Sequence, residues 1–84
     1  MESLEPAIKL LTEIIGDRTV PRNIRAAVEE AKKKLESDDI DFDVRLSSAI
    51  SILDEITNDP NIPMYTRTQI WNIVSMLEMS KKNV

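Results

Sequence analysis

Cysteine and histidine are both absent from the 84-residue sequence, and glycine occurs only once. Without cysteine the chain has neither disulfides nor thiolate metal sites, and without histidine it lacks the commonest general base. The remaining acid pairs, Glu13 with Asp17 and Asp54 with Asp59, are not part of a glycine-containing calcium loop. Their ordinary roles are helix capping and solvation. We therefore expect no catalysis, no metal and no cofactor.

Long apolar runs are missing as well, and the amino-terminal segment "MESLEPAIKL" has no basic region of the kind that begins a signal peptide. These absences predict a soluble, cytoplasmic protein. The net charge is −4, and there is one residue each of Trp, Tyr and Phe. A net negative charge opposes binding to polyanions, and three aromatic residues are few for stacking on bases.

One cluster of basic residues keeps nucleic-acid association open as the alternative function. Arg22, Arg25, Lys32 and Lys33 project from one side of the second predicted helix, but Glu29 and Glu36 share that side. The cluster is more typical of a solvated, charge-paired face.

Apolar residues, which make up 42% of the chain, recur with helical spacing throughout. The pattern predicts a single all-α domain (residues 1–84) of four helices. Ser3 is expected to cap the first helix and Gly16 to end it in a left-handed conformation. Pro21 and Pro63 are expected to begin the second and fourth helices, the aspartates of "SDDIDFD" (37–43) to cap the third, and the tail "SKKNV" to fray. The predicted core stripes contain Ala7, Ile8, Leu11, Ile14, Ile15, Ile24, Ala27, Val28, Ala31, Leu35, Leu46, Ala49, Ile50, Leu53, Ile56, Ile70, Ile73, Val74 and Leu77.

The sequence also matches itself at a shift of 42 residues. The matched pairs include Ile8 with Ile50, Leu11 with Leu53, Asp17 with Asp59, Pro21 with Pro63, Arg25 with Arg67 and Leu35 with Leu77. The match predicts two related helical hairpins, at about residues 4–36 and 41–80. Such a period is typical of HEAT-like repeats, but two hairpins that close on each other as a four-helix bundle bury all four stripes.

The segments "RTVPRNIRAA" and "SSAISILDEITNDPNIPMYTRTQIWNIVSMLE" resemble the uncharacterised archaeal protein family UPF0147. The resemblance covers almost the whole chain. It implies a small, all-helical archaeal protein, and it supplies no catalytic or binding residues.

The repeated turn residues are expected to have a structural role. Asp17 and Arg25 are expected to form a bridge across the first turn, and Asp59 and Arg67 across the turn that matches it, because such contacts fix the angle of a hairpin. Pro21 and Pro63 hold the preceding apolar residues, Val20 and Ile62, extended, so that these two would plug the closed end of the bundle.

The two predicted hairpins differ most in the outward residues of their second helices. Where the second helix has Glu29, Lys32 and Lys34, the fourth has Trp71, Val74 and Met76. Either the fourth helix is simply more central in the monomer, or its extra apolar stripe is an interface with a second copy or another protein. Arg67 could lie over the ring of Trp71. The candidate interface consists of Met64, Arg67, Trp71, Val74 and Met76.

The sequence therefore favours a non-catalytic protein-interaction or scaffold module. A homodimer is the simplest assembly, and a different protein partner is the other.

Overall fold

The computed structural model describes residues 4–82, with the side chain of Lys82 left out, so the predicted cap Ser3 lies outside the described residues. The described chain forms four helices: α1 (Glu5–Ile15), α2 (Arg22–Leu35), α3 (Phe42–Ile56) and α4 (Met64–Lys82). It contains no strand between residues 4 and 82. The predicted all-α class and number of helices are confirmed.

The helices pack as a closed ring. Each contacts its neighbours in sequence, and α1 also contacts α4. Short turns make neighbouring helices antiparallel, so the packing is consistent with an up-and-down four-helix bundle. Because the most extensive helix contact is between α2 and α3, the packing does not separate the chain into two hairpins. The two-hairpin repeat stays a prediction.

A single apolar core fills the centre of the ring. Every residue of the predicted stripes is buried or packs partly buried against this core, and so do Val20 and Ile62 from the turns. The buried apolar residues are Ala7, Leu11, Ile14, Val20, Ile24, Val28, Ala31, Leu35, Leu46, Ala49, Leu53, Ile56, Ile62, Ile70, Ile73, Val74 and Leu77.

The ends of the helices correct three expectations. Gly16 is not left-handed, since its φ is −86° and its ψ is −2°. Asp41 occupies the position that begins α3, but its side chain makes no capping hydrogen bond. The tail does not fray at Ser80, because α4 continues to Lys82 and Ser80 is buried, while Asn83 and Val84 lie outside the described residues.

All three turns between helices share one backbone hydrogen bond, and it forms in the first turn without a positive φ at Gly16. In each, the N–H of an apolar residue donates to the carbonyl oxygen three residues earlier: Val20 to Asp17, Ile40 to Ser37 and Ile62 to Asp59. The next residue has φ −55° and ψ 148° at Pro21, and φ −53° and ψ 144° at Asp41. Asp41 therefore has the same extended conformation as Pro21, although it lacks the ring that fixes φ in proline.

Candidate functional site

Each turn carries an arginine four residues after its extended residue, and these arginines donate to backbone carbonyl oxygens. Arg25 Nε lies 3.0 Å from Val20 O and Arg67 Nη2 lies 3.2 Å from Asp59 O. Arg45 Nη1 lies 3.3 Å from Leu35 O. The expected bridges from Arg25 and Arg67 to aspartate carboxylates are therefore wrong: each guanidinium group donates to a backbone carbonyl of its turn, and Asp59 O accepts from both Arg67 and the N–H of Ile62.

The two matched aspartates organise their own turns instead. Asp17 Oδ1 accepts hydrogen bonds from the backbone N–H of Thr19 at 2.9 Å and from its hydroxyl at 2.6 Å. These two bonds, with a smaller contribution from the charge of Arg25, lower the pKa of the Asp17 carboxyl below its usual value. Asp59 Oδ1 accepts from the N–H of Asn61 at 2.8 Å in the same way. Both are Asx turns, which stop a helix without a left-handed residue.

The five predicted interface residues divide between the surface and the core. Met64 is 71% exposed and Trp71 is 53% exposed. Val74 is buried, and Met76 is half-buried against the core. Val74 follows Ile70 by one helical turn and so lies on the edge of the stripe that α4 turns inward. Arg67 is half-buried and donates to Asp59 O in the turn. The guanidinium group of Arg45 lies over an aromatic ring instead, 5.5 Å from the centre of Phe42.

Tyr65 and Met79 belong to the exposed surface of α4 but were not predicted from the sequence. They are 72% and 65% exposed. Met79 follows Trp71 by eight residues, and Met64 precedes it by seven, which places all three on one side of the helix. Counting in both directions from Trp71 would have found this side.

We define the α4 outer face as the eight exposed residues between the start of α4 and Met79. Within this face the only charged residue is Glu78. Four of the six exposed residues of α2 are charged, by contrast: Arg22, Glu29, Glu30 and Lys33. The α4 outer face comprises Met64, Tyr65, Thr68, Trp71, Asn72, Ser75, Glu78 and Met79.

The basic side of α2 forms no continuous positive surface. Arg25 is half-buried and donates to Val20 O, and Glu29 and Glu30 are exposed beside Arg22 and Lys33. Over residues 4–82 the structure contains no cluster of three acidic side chains that could hold a metal ion. In the same range no helix combines the length and apolar character needed to cross a membrane.

Comparison with known proteins places this architecture in a family. The model of the uncharacterised protein family UPF0147 matches residues 1–79. The chain belongs to this family. A UPF0147 protein of Methanocaldococcus jannaschii is 56% identical over 80 residues, covering 95% of this chain and 86% of the relative. One of Sulfurisphaera tokodaii is 47% identical over 78 residues, covering 93% and 88%.

Two solved structures have the same fold. A crystal structure of a protein of unknown function matches with a TM-score of 0.87 and 52% identity, over 89% of this chain and 85% of that one. A UPF0147 structure from Thermoplasma acidophilum also has a TM-score of 0.87, at 38% identity, and covers 90% and 89%. Because the family is uncharacterised, its name adds no activity to the surface described above.

Proposed function

We propose that this UPF0147 protein is a non-catalytic protein-interaction module that binds another protein chain through the α4 outer face. The observation that carries the proposal is the contrast between α4, whose outer face has one charge among eight residues, and the charged outer face of α2. Helices that face only water are normally polar and charged on that side.

The residue types on the α4 outer face support a protein partner. Trp, Tyr and Met are enriched at protein interfaces, where lysine and glutamate are depleted. Trp71 stands near the middle of the exposed row, with large apolar residues toward both of its ends. A central aromatic residue with such flanks is the usual arrangement of an energetic hot spot.

The exposed area is large enough for a weak to moderate complex. Met64, Tyr65, Trp71 and Met79 are each more than half exposed. Taking about 150 to 250 Å² for each of these large side chains, they expose about 400 to 650 Å² together. This is about the size of the largest apolar patch on a typical monomeric protein, and such a patch often has a binding function. Nucleic-acid binding has less support, because acidic residues interrupt the basic side of α2.

Site-specific photo-crosslinking tests the proposal. A benzophenone amino acid placed at Asn72, in the middle of the α4 outer face, should form protein adducts in an archaeal host. The same group at Glu30, exposed on α2, is the matched control and should form few. Adding Trp71→Glu to the Asn72 variant should abolish its adducts, because a charge at the centre of an apolar interface is costly to bury. Equal adducts at both positions, or adducts that persist with Trp71→Glu, would contradict the proposal.

A further inference from the structure

The apolar row on the α4 outer face reads nearly the same in both directions. Counted from Trp71, a hydroxyl residue lies three residues before and another four residues after, and a methionine lies seven before and another eight after. The order is Met64, Thr68, Trp71, Ser75, Met79. Spacings of three and four residues keep all five on one stripe of the helix.

A stripe of this kind is complementary to itself. In a two-fold dimer the same patch of both subunits meets, and two helices related by an axis perpendicular to them run antiparallel. Such an axis reverses the order of residues along the stripe. A stripe that reads alike in both directions therefore meets similar groups along its whole length, whereas an unrelated partner requires no such order.

We propose that the partner of the α4 outer face is a second copy of this chain, with the two α4 helices antiparallel and the two-fold axis between Trp71 and Asn72. The proposal rests on the proposed function and adds to it the identity of the partner and the register. Thr68 and Ser75 are equally far from this axis, so Thr68 of one copy is level with Ser75 of the second copy. Their small side chains leave room for the two Trp71 rings between them.

The same register also matches the other groups of the face. Met64 of one copy is level with Met79 of the second copy, which pairs the two exposed methionines. Two such faces together could bury at most about 800 to 1,300 Å², an area that reaches from small, weak interfaces to the lower end of stable ones.

Disulfide trapping tests the register directly, because the chain has no cysteine of its own. Two variants, Thr68→Cys and Ser75→Cys, are oxidised separately and as an equal mixture. Antiparallel helices in this register bring position 68 of one copy to position 75 of the second, within the short distance that a disulfide spans. We expect the mixed 68–75 disulfide to be the main product of the mixture, and each variant alone to remain mostly unlinked. Lys33→Cys, exposed on α2, measures random collisions.

Light scattering during gel filtration provides the second measurement. The wild-type chain should have twice the mass of the 9.6 kDa monomer, and Trp71→Glu should have the monomer mass with unchanged helical circular dichroism. Ala26→Glu adds the same charge at an exposed position of α2 and should leave the dimer intact.

Three results overturn the inference. The first is a wild-type monomer at high protein concentration, and the second is a dimer in which each cysteine variant links to its own kind, as in a parallel pair. The third is unfolding of Trp71→Glu, which would place this side chain in the core. If the wild type is a monomer but the benzophenone at Asn72 still captures another protein, the proposed function stands and only the identity of the partner fails.

Discussion

A substitution at Val20 measures how much the burial of a turn residue contributes to stability. Its side chain is 1% exposed, its N–H donates to Asp17 O at 3.1 Å, and its carbonyl oxygen accepts from Arg25 Nε at 3.0 Å. Both hydrogen bonds use backbone atoms, so the change Val20→Ser leaves them in place, while it removes apolar packing and adds a hydroxyl to the core. Its effect on stability therefore reports the burial of this one side chain.

The expected magnitude follows from that burial. Burying a side chain the size of valine stabilises a fold by about 1.5 to 3 kcal/mol, and a serine hydroxyl at the same place must also find a hydrogen-bond partner. We expect Val20→Ser to lower the free energy of unfolding by about 2 to 3 kcal/mol. Lys33→Ser, at an exposed position of α2, should change it by no more than about 0.5 kcal/mol.

Urea denaturation followed by circular dichroism measures both variants. With a dependence of about 1 to 3 kcal/mol per molar urea, Val20→Ser should lower the midpoint by about 0.7 to 3 M. Ile40 occupies the equivalent position of the second turn but is only half-buried, so Ile40→Ser should fall between the two. Equal midpoint shifts for Val20→Ser and Lys33→Ser would refute the reasoning.

Three other predictions concern the turns. Gly16→Ala should raise the unfolding free energy by about 0.4 to 1 kcal/mol in a denaturant titration. Gly16 has helical dihedral angles, and the nearest atom to an added Cβ is Thr12 O at 3.6 Å, so alanine fits without strain. A loss of stability would contradict the observed conformation. Arg67→Met should cost about 1 kcal/mol more than the same change at a fully exposed arginine, since it removes the partly buried hydrogen bond to Asp59 O, which then keeps only the N–H of Ile62 as a donor, and equal costs would contradict this role. Thr19→Ala removes the hydroxyl bond and should raise the pKa of the Asp17 carboxyl toward its usual value in an NMR titration, and an unchanged pKa would contradict that bond as its main cause. Because that pKa is lowered in the folded state, its contribution to stability is complete above the pKa of the unfolded chain and is lost as the pH falls through the folded-state pKa.

The faces of the helices could be predicted from the sequence, because apolar spacing reports directly which side of a helix is inward. The burial of Val20 and Ile62 was also predictable, since a proline after an apolar residue holds it extended at the end of the turn. The sequence did not reveal that the second turn has the same hydrogen bond as the first and third, because Asp41 occupies the position where those two turns have proline. Aligning Ile40 and Arg45 with Val20 and Arg25 would have shown it.

The details of the turns were less predictable, because they depend on which acceptor each polar side chain reaches. Asp17 and Arg25 have opposite charges, so the sequence indicates an ion pair, yet each finds a closer partner. The hydroxyl and N–H of Thr19 are two residues from Asp17, and the carbonyl of Val20 is free where the chain leaves the turn. Local hydrogen bonds of this kind compete well with an exposed ion pair, which contributes little.

The contact between α1 and α4 has a consequence for the order in which the helices could be joined. Leu4 and Ala7 at the start of α1 line the same small cleft as Met79 and Ser80 near the end of α4. A linker across this cleft, with the chain opened at the turn between α2 and α3, gives a circular permutant in which α3 and α4 precede α1 and α2. In this permutant every pair of helices that is in contact in the native chain can still pack together. The fold therefore depends on which helices pack together and not on their order along the chain.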